Sequence, residues 1–129
     1  MTAEARSRNE RKLADLVAEM LDAFTFAAGV AECEVATKVE ESYRGYRLRT
    51  DDPAVSLAFA ALDGAGFPPR AVEVGGGADA NVFNARGLAC VNLANGMAHV
   101  HTAEEEIAAD DLDAMLRVTL ELVEAARRA

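Results

Sequence analysis

Gly75, Gly76 and Gly77 stand in a row, and no other stretch limits the chain's conformations so strongly. They follow the apolar-leaning segment Ala71 to Val74 and precede Asp79, which is placed to cap a short helix running to about Asn84. Glycine tolerates positive φ and lets another backbone or a ligand approach closely, so a glycine run after a strand predicts a special turn. The apolar run Leu88 to Leu93, bounded by Gly87 and by Asn95-Gly96, predicts a buried strand. His99 and His101 lie just past it. The stretch Val74 to Thr102 therefore predicts a glycine turn, a helix start and two histidines at strand ends, where open α/β sheets place their ligands.

The flanks extend this pattern. Ser7-x-x-Glu10 has the form of a capping box, and Leu13, Leu16, Val17, Met20, Leu21 and Phe24 follow at helical spacing to about Ala28, with Gly29 closing the helix. Such an amphipathic helix is expected to pack on a sheet. Cys33, Val35, Thr37 and Val39 then alternate with Glu32, Glu34, Ala36, Lys38 and Glu40, which predicts a strand with one face in water. Asp52-Pro53 reads as a cap with proline at the first helical position, followed by the stripe Val55, Ala58, Phe59 and Leu62 and an end near Gly64. Asp110 or Asp111 is expected to cap the last helix, with the buried stripe Leu112, Met115, Leu116, Thr119, Leu120 and Val123. Arg127 and Arg128 would complement its C-terminal dipole. The predicted fold class is α/β, with α+β character at the N-terminus and a composition seam around Leu48 to Pro53.

A chain of 129 residues is long enough for one domain. Its net charge of -9 argues against nucleic acid and against an anionic membrane surface. Cys33 and Cys90 are too few for a disulfide framework, and their apolar surroundings predict buried free thiols in a reducing compartment. No signal region or membrane span is visible, so a cytoplasmic location is expected.

The run GGGADANVFNARGLACVNLANGM, followed by HVHTAEE, resembles the closing portion of two-zinc exopeptidases of the peptidase T-like group. That group sits in the superfamily of aminoacylases, acetylornithine deacetylases and succinyl-diaminopimelate desuccinylases, whose wording is close to GGGSDANVFN, a strand, then histidine followed by Thr or Ser. The resemblance extends over nearly the whole chain, including Glu4-Ala5-Arg6-Ser7, but over only the C-terminal third or so of such an enzyme. It implies that residues 1–48 are the second half of a β-α-β-β-α-β lid and dimerisation domain. Residues 49–129 would be the C-terminal part of the zinc-peptidase catalytic domain.

On spacing alone, a lone histidine in a loop after a strand is more often a hydrogen-bonded residue than a metal ligand. The resemblance makes His101 the final zinc ligand. His99 would form a His-x-His pair, but relatives usually carry asparagine there. Gly76, Gly77 and Asp79 would lie beside the substrate's terminal group; without the resemblance, tight strand-to-helix packing explains the glycines equally well. Ala78 replaces the family's serine or threonine, which removes a hydroxyl contact. Asn81 and Asn84 are expected to hold the loop rather than touch substrate. Arg6 offers the paired donors suited to a carboxylate, and the family arginine at this place grips the substrate's carboxylate. Glu105 is expected to brace the histidine loop, while Glu104 and Glu106 read as solvated charge.

No catalytic residue is expected in this chain. The family's His-x-Asp segment, bridging aspartate and catalytic glutamate lie upstream of the matching region, and one histidine cannot hold zinc. The resemblance therefore implies a fragment or truncated member of a zinc exopeptidase that hydrolyses small peptides or N-acyl amino acids, with two zincs in the complete enzyme. A non-catalytic module dimerising through its lid edge, or one chain of a two-piece peptidase completed by a separate N-terminal half, are the alternatives.

Overall fold

Two helices packed side by side form the centre of the computed structural model, which describes residues 1–128. Helix α1 spans Glu10–Val30, α2 Pro53–Gly64, α3 Asp79–Ala85 and α4 Ala109–Arg128. Val55, Ala58 and Ala61 of α2 and Val118 and Ala125 of α4 are buried, and α2 packs along α4. Small side chains let the two backbones approach closely, so Gly64 stands where a Cβ would meet the Glu121 carboxylate at 2.8 Å.

Helix α2 begins and ends where Asp52-Pro53 and Gly64 place it. The Asp52 side chain does not cap the helix, however; its carboxylate accepts the Arg49 N–H at 2.6 Å instead. The start of α1 differs from the capping-box expectation. Asn9 is the cap, its side chain accepting the Lys12 N–H at 3.0 Å, while Ser7 Oγ accepts the Asn9 N–H at 3.1 Å. The box thus fails because asparagine two residues later reaches the orphan donors first.

Helix α4 starts at Ala109, so Asp110 and Asp111 lie in its first turn rather than capping it, and of the expected stripe only Met115 is half-buried. Leu112, Leu116, Leu120 and Val123 are 54–59% exposed, whereas Val118 and Ala125 face the interior. The helix is apolar over an arc wide enough for two contacts, and the smaller residues take the contact with α2.

The predicted strands are the main departure. Residues 33–48, 68–78 and 88–97 run without helical structure, and the one β pairing among the described residues is the antiparallel bridge of Ala98 to Glu106. An α/β sheet and a β-α-β-β-α-β half are therefore not formed within the described residues; the structure is mostly helical. Alternation and apolar runs specify which faces of a strand are buried, but a ladder requires a second strand. Cys33 is exposed and Cys90 half-buried, both free, so the expectation of two buried thiols fails. Cys33 lies on one of the unpaired segments.

Burial is correspondingly light. The accessible surface is 10463 Å², against roughly 6,600 Å² for a folded monomer of this mass. Five of the seven buried apolar residues are alanines, and among the described residues no large side chain is fully buried. Among them, too, no helix is long and apolar enough to cross a membrane.

Candidate functional site

Two local constructions carry the candidate residues: the glycine run with α3, and the histidine loop between Ala98 and Glu106.

At the first, Ala78 is the N-cap residue of α3 and Asp79 opens its first turn. Asp79 is thus not the cap, though its carboxylate sits where the helix dipole favours negative charge. Asn81 is buried. Its Oδ1 accepts the Ala78 N–H at 2.9 Å, and its Nδ2 donates to the Arg44 carbonyl at 2.7 Å, across 37 residues of sequence. Asn84 does similar work at the other end of α3. Its Nδ2 donates to the Ala80 and Cys90 carbonyls (2.8 and 2.7 Å), and its Oδ1 accepts the Cys90 N–H at 3.2 Å. One side chain thereby satisfies both backbone groups of Cys90. Gly87, at φ 82°, closes the helix. The Leu88 N–H reaches the Phe83 carbonyl and the Gly87 N–H the Asn84 carbonyl, both at 3.0 Å, the paired bonds of a Schellman end. Both asparagines therefore hold backbone, as expected.

Of the three glycines only Gly77 is required, and through space rather than through φ. None of Gly75, Gly76 and Gly77 has positive φ, so the special turn expected of them is absent. A Cβ on Gly75 or Gly76 would meet nothing, whereas one on Gly77 would lie 2.3–2.9 Å from the Tyr43 ring. Gly77 is thus fixed by Tyr43, whose hydroxyl is buried without a hydrogen-bond partner among the described residues. Beside this contact, Glu73 accepts from Arg8 at 2.6 Å and from Arg47 at 3.0 Å. Tyr43, Arg44 and Arg47 together hold the segment after the first predicted strand against Gly77, Asn81 and Glu73. Sequence reasoning missed all three and Glu73 as well; a lone charge in the apolar-leaning Ala71 to Val74 run was the available signal.

Arg6 is exposed and donates through Nε to Glu4 at 2.5 Å. That hydrogen bond, then the Glu4 charge and the nearby Tyr43 phenol, hold the guanidinium above its ordinary pKa, and the same bond to Arg6 lowers Glu4. Arg6 is therefore a permanent cation paired with Glu4. Among the described residues its terminal nitrogens make no hydrogen bond.

At the second construction, Ala98 and Glu106 exchange backbone hydrogen bonds at 2.9 and 3.2 Å and close a loop. His99 and His101 both take left-handed φ, 52° and 68°. Histidine visits that region more readily than most residues, at some cost in energy. The conformation is enforced by side chains: Thr102 Oγ1 donates to the His99 carbonyl at 2.8 Å, and the Glu105 carboxylate accepts the His101 N–H at 2.8 Å. Both imidazoles are exposed. Glu105 thus contacts the loop through the backbone of His101 rather than its ring.

The structure brings Tyr43 against Gly77 and Glu105 against the His101 backbone, while Arg6 pairs with Glu4. Among the described residues, no hydrogen bond joins any of these pairs to another. Nor does any group of three or more His, Cys, Asp or Glu side chains there have the arrangement of a metal site. Zinc takes three or four protein ligands, so the residues present do not by themselves fit the ion.

No protein-family model matches the chain. It is 32% identical over 126 residues to the uncharacterized protein YqjE of Bacillus subtilis (strain 168), covering 98% of this chain and 34% of that protein. Its structure is similar to the crystal structure of aminopeptidase PepT from Bacillus cereus ATCC 10987, with a TM-score of 0.72 and 30% identity, over 91% of this chain and 31% of PepT. The chain thus spans about a third of the length of each relative it matches, and its fold is that of a portion of a PepT-like peptidase.

Proposed function

We propose that the chain forms the closing part of a zinc exopeptidase that hydrolyses small peptides or N-acyl amino acids, contributing His101 as one ligand of a metal site completed by residues outside the 129. The observation that carries this reading is the exposed imidazole of His101, on a loop pinned by Glu105 and Thr102, in a chain that overlays a third of an aminopeptidase. The left-handed, side-chain-locked backbone fixes where the imidazole is attached, which suits a ligand on a rigid loop. Arg6 would hold the substrate's carboxylate, with Gly76, Gly77 and Asp79 beside it. In this reading residues 1–48 belong to a lid and dimerisation domain, residues 49–129 to the catalytic domain, and the protein works in the cytoplasm.

A second reading, a non-catalytic interaction module, draws support from the large exposed apolar surface. Hydrolysis of di- and tripeptides separates the two. The chain alone is expected to be inactive, and the chain assembled with the remaining portion of a PepT-like domain is expected to cleave them with zinc present. An assembled protein that binds zinc and cleaves nothing would favour the module, and cleavage by the chain alone would refute the proposed division of the site.

A further inference from the structure

Three hydrogen bonds among the described residues join residues 1–48 to residues 49–128, and two of them end on Glu73. One carboxylate oxygen accepts from Arg8 at 2.6 Å and the other from Arg47 at 3.0 Å. The third is the Asn81 bond to the Arg44 carbonyl. Among the described residues no backbone-to-backbone bond crosses between the two parts. The two limbs of 1–48 are unequally held. Residues 43–47 have Tyr43 against Gly77 and the Asn81 bond besides the Arg47 pair. Among the described residues, residues 1–30 have the Arg8 pair as their one hydrogen bond to 49–128, and α1 packs on none of the other helices. Leu13, Val17, Met20, Leu21 and Phe24 are half-buried, but apolar burial is non-directional and leaves a helix free to turn and slide. A charge-assisted hydrogen bond is directional, so the Arg8 pair decides the angle.

Arg6 stands two residues from Arg8, at most about 7 Å of extended chain. We infer that Glu73 is a positioning residue: holding Arg8 on one oxygen and Arg47 on the other, it sets where residues 1–30, Arg6 included, lie on residues 49–128. The inference rests on the proposed function for what Arg6 does, and on the hydrogen bonds alone for where Arg6 is held. A carboxylate suits the task because it offers two charged oxygens to two arginines, whereas an amide offers one neutral acceptor. Both pairs are exposed. Exposed pairs are weak singly and are screened by salt, and sharing one carboxylate between two arginines makes them a small network. The joint is therefore a latch that salt opens, not a rigid strut.

Cys33 is an exposed free thiol whose N–H bonds the Ala28 carbonyl at the far end of α1, so a spin label there moves with the helix. A second label on Asp113→Cys of α4, in a Cys90→Ser background, gives a distance across the joint. At low salt the parent chain is expected to show one narrow distance distribution, and Glu73→Gln or 1 M salt one about twofold broader or more. Salt should add nothing to Glu73→Gln. The inverted network, Glu73→Arg with Arg8→Glu and Arg47→Glu, should restore the narrow distribution. In the assembled protein, Glu73→Gln should raise KM about fivefold, the worth of one exposed pair, for peptides with a free C-terminal carboxylate. It should leave kcat, and KM for C-terminally amidated peptides, unchanged. An equally narrow distribution in Glu73→Gln, a broadening that salt does not reproduce, an unchanged KM, or a KM rise shared by the amidated peptides would each overturn the assignment. An assembled parent that cleaves nothing counts against the proposed function instead, and the distances alone then decide the placement.

Discussion

The Asn81 side chain donates to the Arg44 carbonyl at 2.7 Å while accepting the Ala78 N–H at 2.9 Å. A buried amide thus ties the start of α3 to a segment 37 residues earlier. Asn81→Ala strips both groups of their partner at a cost of about 1–3 kcal/mol. Asn81→Asp keeps the acceptor and loses the donor, so it should preserve the α3 start while releasing Arg44. Amide exchange at Ala78 checks this: roughly tenfold faster or more in the alanine variant, near the parent rate in the aspartate variant.

Gly77 and Tyr43 give a prediction with an internal control. Gly77→Ala drives a methyl into the Tyr43 ring, an overpacking cost of about 1–3 kcal/mol. Gly75→Ala and Gly76→Ala meet nothing and need no change of φ, so they should be neutral or stabilising by up to about 1 kcal/mol. Thermal unfolding of the three variants, with Gly77→Ala repeated in a Tyr43→Ala background, resolves the cause. The penalty should shrink in the double variant.

At the histidine loop, Glu105→Gln retains a side-chain oxygen for the His101 N–H and should keep the left-handed turn, whereas Glu105→Ala removes it. The loss of a charge-assisted bond is worth about 1.5–3 kcal/mol where the group is shielded and less at this exposed site. The His101 three-bond HN–Hα coupling, which reports φ, should match the parent in the glutamine variant and average toward extended values in the alanine variant.

The pH dependence has a defined sign. Arg49 grips Asp51 through two bonds of 2.8 Å, and this holds the Asp51 carboxyl below its ordinary value of 3.8. A depressed native pKa means that the pair's contribution is complete above the ordinary value and is lost as pH falls through the native one. Arg49→Met should return the Asp51 titration, followed by carbon-13 NMR, to the ordinary range. Because the pair is exposed, 1 M salt should do much the same, with a screening length of only about 3 Å.

Local signals located the helices, and non-local relationships account for what was missed. Asp52-Pro53 and Gly64 bounded α2 because a proline start and a glycine end act on backbone a few residues away. The α4 stripe was legible as apolar, but which of two apolar sides meets α2 depends on the small residues Ala58, Ala61 and Ala125. The segments 33–39 and 88–93 carry strand-like patterns, but without partners to make a sheet Val35, Val39 and Leu88 stay exposed. Asn81 and Asn84 were read as loop holders because asparagine bonds nearby backbone well. Tyr43 carried no local signal and Glu73 only that of a lone charge in an apolar-leaning run, since their partners lie 34 and 26–65 residues away and no local pattern encodes that distance.

The account turns on His101 being a metal ligand and His99 being a loop residue with the same exposure and the same kind of backbone. Zinc per assembled protein, measured by inductively coupled plasma spectrometry for His101→Ala and His99→Ala side by side, tests this directly. The account predicts that His101→Ala loses zinc while His99→Ala keeps the parent's stoichiometry. Full zinc retention in His101→Ala would contradict it.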